Sequence, residues 1–275
     1  MNSVALGADS ETGRLDRAVR VFRAGLMFAV WLPSFVIVFA IVQRLILMPL
    51  IMIVPRWRAR IMGPWLRFQG DWCVLLMRTL GGCTVTVHGS IPKEAVVVVM
   101  NHQSVADIPI ALSIIRDPGP LFATREWYKW RIPFVSPALR LARMPLVTQR
   151  AGGVRQDIAA LNESADRCAK GEVSLLLFTE GHRTRDGQIG PFMRMGPRLI
   201  LPRARRPVYT IVADGLWGAR TFTDALAKLG NCRIDLVISG PYETPESTAD
   251  LDGFIEHLRY GMITTLDDIR RGAVT

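Results

Sequence analysis

The hydrophobic pattern changes period several times along the chain, and each change predicts an element. Val96–Met100 is four valines and a methionine in a row, an unbroken apolar run that reads as a strand buried on both faces of a helix-covered, largely parallel sheet. The run turns polar at Asn101-His102, and Asp107 then opens IPIALSII, a helix with Pro109 in its first turn. Val173–Phe178 is a second buried strand, and it too runs into a polar loop, Thr179–Gly187. Further strands are predicted over Thr84–His88, Leu121–Thr124, Pro207–Val212 and Arg233–Ser239. Helices are predicted over Trp65–Leu80, Asp157–Lys170 and Asp250–Arg270, the second with an apolar face of Ile158, Leu161, Ala165 and Cys168. The apolar run Ile132–Leu146, broken by Pro133, Pro137 and Pro145, is expected to line an acyl groove or face a bilayer. The fold class is α/β: a mostly parallel central sheet covered by helices, with an N-terminal membrane-embedded helical segment.

That N-terminal segment stands apart. Arg14, Arg17, Arg20 and Arg23 recur every three residues, and Ala24–Gln43 then carries no formal charge. A helix of about 20 residues spans about 30 Å, enough to cross a bilayer. Two geometries fit: a single span over Ala24–Gln43, or a half-membrane hairpin with Leu32-Pro33-Ser34 at its tip. The hairpin is preferred, because it leaves Arg23 and Arg44 at one headgroup layer, whereas a span leaves basic clusters on both sides. The predicted division is residues 1–60 as the anchor and 61–275 as an α/β domain.

At 275 residues the chain can bury a full core. Lys and Arg number 34 against 24 Asp and Glu, a net charge of +10 that suits anionic partners, and 49% hydrophobic residues tip the choice toward a phospholipid membrane. No nucleic-acid motif accompanies the charge. Cys73, Cys83, Cys168 and Cys232 lack metal-ligand spacing, so neither a metal site nor a disulfide framework is expected.

His102 and Asp107 carry the candidate chemistry. Five positions along an ideal helix is about 500°, which would separate the two side chains. His102 should therefore sit in the loop, with Asp107 reaching back from the first helical turn to accept Nδ1–H and leave Nε2 as a base. In the second loop Gly181 allows close backbone approach, and Arg183 and Arg185 offer forks for phosphate oxygens.

These landmarks, in this order, resemble the glycerolipid acyltransferase family. Its Asn-His-x4-Asp block matches Asn101–Asp107, and its Phe-Pro-Glu-Gly-Thr-Arg-Ser block is similar to Phe178–Thr184. The apolar block ending in Arg looks like Met144–Arg150, and Pro207–Val212 weakly echoes the fourth block. Thr179 replaces the usual Pro, His182 replaces Thr, and Thr210 stands where Pro is frequent, which leaves acceptor identity less fixed than reaction type.

The resemblance implies a membrane-bound acyltransferase that moves a fatty acyl group from acyl-CoA or acyl carrier protein to lysophosphatidic acid. His102 would be the base, oriented by Asp107. Arg150 and Arg183 would meet the acceptor phosphate in a pocket shaped by Glu180 and Gly181. Asn101, Ser104 or a backbone N–H near the helix start would hold the thioester oxyanion or position the site. The thioester is a co-substrate and no cofactor is expected. The active site is expected to face the cytoplasm, at the inner membrane if the source is bacterial. Another acceptor (glycerol 3-phosphate, another lysophospholipid or an amino-acid lyso-lipid), or a non-catalytic membrane-binding protein on the same fold, remains the alternative. The sequence carries no signal for oligomeric state, acyl-chain length or donor choice.

Overall fold

The computed structural model describes residues 3–148, 151–219 and 221–274. The chain opens with α1 (Ser3–Pro33), which continues without a break through wider turns over Ser34–Phe39 and Val42–Leu47 into α2 (Met48–Ile53). A short turn, Pro55–Trp57, leads into α3 (Arg58–Thr79). There follow β1 (Thr84–His88), β2 (Val97–Met100), α4 (Asp107–Ile114), β3 (Pro120–Phe122), β4 (Thr124–Arg125), α5 (Tyr128–Arg131), α6 (Val135–Ala142) and β5 (Leu146–Val147). The second half runs α7 (Val154–Ala169), β6 (Ser174–Leu177), α8 (Met195–Ala204), β7 (Val208–Asp214), α9 (Phe222–Lys228), β8 (Arg233–Tyr242) and α10 (Leu251–Arg271).

The main sheet has the order β1-β8-β7-β2-β6-β3 and is parallel except for the β7–β8 pair. Val96–Met100 and Ser174–Leu177 are fully buried. Apart from Ser174 they are apolar throughout, which reports coverage of both sheet faces. Because β2 lies between β6 and β7, three strand ends converge on one edge: Val99 pairs with Leu177, and Met100 with Ile211. That edge is where the polar loops emerge.

The N-terminal helix does not turn at Leu32-Pro33-Ser34 as the preferred hairpin required. Pro33 keeps helical φ/ψ (−61°, −39°). Wider turns begin directly after it at Ser34, whose hydroxyl bonds the Val30 carbonyl. The reversal comes at Val54 (φ −126°, ψ 73°), the residue before Pro55, where a following proline disfavours helical backbone. The helix then folds back along α3: Trp31 donates to Cys73 Sγ (3.1 Å), Trp72 to Ser34 Oγ (3.1 Å), and Phe39 packs on Trp65 (5.4 Å). The expected boundary at residue 60 falls inside α3.

Leu15–Ile53 is long and apolar enough to cross a membrane. One stripe, Ala24, Met27, Phe35, Phe39, Gln43, Leu47 and Ile51, is buried, while Phe22, Ile37, Ile41, Leu45, Met52 and Ile53 are exposed. The helix therefore presents apolar surface both inward and outward.

Within Ile132–Leu146, Ser136–Ala142 of α6 is buried apart from Arg140, while Pro133 and Arg143 are exposed and Arg143, Met144 and Pro145 line a surface cavity with Ala160, Glu163 and Ser164 of α7. The crossing of α3 over α4 depends on Gly70, since a Cβ there would lie 2.6 Å from the Pro109 carbonyl and 2.8 Å from Ser113 N. Gly70→Ala is expected to cost about 1–3 kcal/mol through this backbone clash, read as a lower unfolding midpoint.

Candidate active site

The site assembles where β2 and β6 end. Asp107, first residue of α4, is fully buried. Its Oδ2 accepts three hydrogen bonds: Gln103 N (2.6 Å), Ser104 N (2.8 Å) and His102 Nδ1 (2.8 Å). The loop between strand and helix thus wraps its N–H groups around the carboxylate, which brings residues five apart into contact. Nδ1 is held as the protonated nitrogen, and no described residue hydrogen-bonds Nε2. The His102 side chain is 17% exposed and stacks on Phe178 at 4.2 Å between ring centres.

Glu180 braces this loop from the neighbouring strand. Its Oε1 accepts His102 N (3.0 Å), its Oε2 accepts Gly190 N (3.0 Å), and His102 O accepts Thr184 N (2.7 Å). Burial raises the Glu180 carboxyl above its ordinary value, against the opposing pull of the two backbone N–H groups. A carboxyl with a raised folded pKa binds its proton more tightly folded than unfolded. Stability linked to it therefore falls as pH climbs from 4.5 to the raised value. Glu180→Gln is expected to flatten that slope. Its amide nitrogen, facing a backbone N–H, should also cost about 1–3 kcal/mol, measurable as the pH dependence of thermal unfolding.

Gly181 has φ +70°, a backbone conformation that favours glycine, and a Cβ there would meet Met193 Sδ. Arg183 is half-buried in the same loop. Arg150 lies outside the described residues.

The Asn101 and Ser104 side chains are both engaged with backbone groups. Asn101 Oδ1 and Nδ2 pair with the N–H and carbonyl of Ala213 (2.8 and 2.9 Å), clasping β2 to β7. Ser104 Oγ donates to Ala219 O (2.5 Å) and accepts Ala106 N (3.2 Å). Both therefore position the loop. The Gln103 and Ser104 N–H groups are also spent on Asp107, so neither is an oxyanion donor.

One contributor carried no sequence signal. Gln103, fully buried, donates from Nε2 to Asp214 Oδ1 (3.1 Å) and accepts Leu216 N (3.1 Å). Asp214 in turn pairs with Arg270 of α10 (3.0 Å). Burial opposes ionisation of Asp214, but the Arg270 and Gln103 bonds hold its carboxyl below the ordinary range. The closing helix is thereby tied to the histidine loop.

A buried carboxylate orienting an imidazole at the end of a parallel strand is an arrangement suited to acid–base chemistry, and residues 84–215, which contain it, match the family model described as Acyltransferase. The chain is similar to two acyltransferases in particular. It is 31% identical over 146 residues to a 1-acyl-sn-glycerol-3-phosphate acyltransferase of Pseudomonas aeruginosa, covering 51% of this chain and 54% of that one. The match thus spans about half the length of that relative. It is 25% identical over 201 residues to the human 1-acyl-sn-glycerol-3-phosphate acyltransferase alpha, covering 71% of this chain and 68% of that one. The crystal structure of the 1-acyl-sn-glycerophosphate (LPA) acyltransferase PlsC from Thermotoga maritima has the same fold, with a TM-score of 0.68 at 18% identity over 92% of this chain and 98% of that one.

Proposed function

We propose that this protein is an O-acyltransferase that moves a fatty acyl group from a thioester, acyl-CoA or acyl carrier protein, to the free hydroxyl of lysophosphatidic acid, making phosphatidic acid. The observation that carries the reading is the 2.8 Å His102–Asp107 contact at the end of a buried strand, with Nε2 unengaged among the described residues. In this scheme Nε2 takes the hydroxyl proton as the oxygen attacks the thioester carbonyl carbon. Asp107 stabilises the imidazolium, the tetrahedral intermediate collapses with cleavage of the C–S bond, and the proton leaves on the departing thiol. The lipid supplies the nucleophile, so no acyl-enzyme forms. Arg150 and Arg183 bind the acceptor phosphate.

The exposed apolar flank of Leu15–Ile53 supports attachment to a phospholipid membrane. The domain packs along the same helix, from the Arg23–Asn231 bond (2.7 Å) to the Arg44–Pro133 bond (2.8 Å). Insertion of the outer flank, with the domain at the surface, accommodates that packing. The site is taken to face the cytoplasm, a reading that the absence of disulfide-type spacing among the four cysteines of the sequence supports.

Thr179 and His182 beside Glu180 keep other acceptors in view. A panel of lysophosphatidic acid, glycerol 3-phosphate, other lysophospholipids and amino-acid lyso-lipids, offered to the detergent-solubilised protein with both donor types, tests the reading. Fastest turnover with lysophosphatidic acid supports it, and a different preferred acceptor replaces that part of it. No product with any pair would leave a binding protein on this fold.

A further inference from the structure

Helix α5 and its surroundings carry a cluster that the acyl-transfer site does not use. Trp127 is 54% exposed and Trp130 70%. Lys129 Nζ lies 5.6 Å and the Arg140 guanidinium 4.3 Å from the centre of the Trp130 ring, and Arg131 lies 5.3 Å from Trp127. Arg140 also donates to the Lys129 carbonyl (3.1 Å), and Arg44 to the Pro133 carbonyl (2.8 Å). Among the described residues, none of Arg44, Lys129, Arg131 and Arg140 has a carboxylate within 4.0 Å. Burial and the charge of Arg44 both push the Arg140 guanidinium below its ordinary value. Cations gathered without a counter-charge repel one another, and an anionic partner relieves that repulsion.

The place of the cluster selects the partner. Phe134, just beyond α5, packs on Trp31 (5.7 Å) and Phe35 (5.5 Å) of the long apolar helix, and Arg44 belongs to that helix. The patch therefore borders the exposed apolar flank at Ile37, Ile41 and Leu45. Indole rings with an apolar body and a polar N–H, set beside cations at the margin of such a flank, match the chemistry of a lipid headgroup layer. A nucleic acid or an acidic protein would give no use to the adjoining apolar surface.

We propose that α5, with Arg44 and Arg140, is a second membrane contact that recognises anionic phospholipid headgroups beside the inserted helix. The proposal rests on the membrane attachment argued above. In it Trp127 and Trp130 sit at the headgroup level and the four cations pair with lipid phosphates. The patch would set how the domain is tilted on the membrane.

The test is amide hydrogen exchange of the full chain reconstituted in vesicles of phosphatidylcholine alone or with about one third phosphatidylglycerol. Amides of residues 125–134 should exchange about tenfold more slowly in the anionic vesicles, and the difference should shrink as salt rises. Lys129→Glu with Arg131→Glu should abolish the difference while residues 24–53 stay protected as in the wild type. Equal exchange at 125–134 in both vesicle types would overturn the proposal. So would the same slowing by inorganic phosphate in detergent, which would mark a free-anion site. Residues 24–53 left unprotected in both vesicle types would overturn the membrane attachment itself, and this proposal with it.

Discussion

Replacing His102 with alanine is expected to lower acyl transfer about 10²–10⁴-fold, the scale of a well-placed general base, while the chain stays folded. The separation of the two effects follows from how the loop is held. The backbone ties at this position, His102 N to Glu180 and Thr184 N to His102 O, do not involve the imidazole. Asp107 loses one of three donors but keeps Gln103 N and Ser104 N. The stability cost should therefore stay near the net worth of one hydrogen bond, about 1 kcal/mol. Steady-state kinetics beside a thermal melt checks both halves. A variant that keeps the wild-type rate would remove His102 from the mechanism, and one that no longer folds would show that the stacking on Phe178 matters more than its 17% exposure implies.

Asp107→Asn should lose activity on the same scale, about 10²–10⁴-fold, for a different reason and with a larger stability cost. The carboxamide oxygen can still receive the Gln103 and Ser104 N–H groups, so the loop keeps its shape. What disappears is the negative charge that stabilises an imidazolium 2.8 Å away. The amide nitrogen must then occupy the place of Oδ1, which is buried and has no hydrogen-bond partner. An unsatisfied buried donor costs about 1–3 kcal/mol. The expected signature is a fall in kcat with KM little changed, together with a lower unfolding midpoint. Full activity in the asparagine variant would mean that Asp107 only shapes the loop.

The two predictions depend on features legible in the sequence to different degrees. Both polar loops were readable because each follows an unbroken apolar run, and such runs mark strands covered on both faces. That Asp107 would reach back to His102 followed from helical geometry alone. The meeting of His102 with Glu180 did not, because strand order is set by packing between segments far apart in sequence, and β2 beside β6 is a tertiary fact. The family resemblance implies a role for Glu180 in the acceptor-phosphate pocket, not a bond to the histidine loop.

Asn101 shows the opposite difficulty. A polar residue beside a reactive histidine reads as functional, yet its amide is satisfied by the β7 backbone. Gln103, one of the unspecified positions of the Asn-His-x4-Asp block, is the fully buried link to Asp214 and Arg270. No local pattern announces such a tether, because its partner lies on the last helix. The placing of Arg23 and Arg44 at one headgroup layer favours a hairpin tip at Pro33, yet the helix runs on through that residue and reverses before Pro55, where the apolar run ends.

Direct transfer from a thioester to a lipid hydroxyl, with no enzyme-bound acyl group, is most directly tested by counting both products of one reaction. Purified wild-type protein would be given acyl-CoA with and without lysophosphatidic acid, and released thiol and phosphatidic acid would be quantified together. Equal amounts of thiol and phosphatidic acid, with release dependent on the acceptor, is the predicted result. Thiol released without acceptor, whether as a stoichiometric burst or as steady hydrolysis, or no phosphatidic acid under any of these conditions, would contradict it.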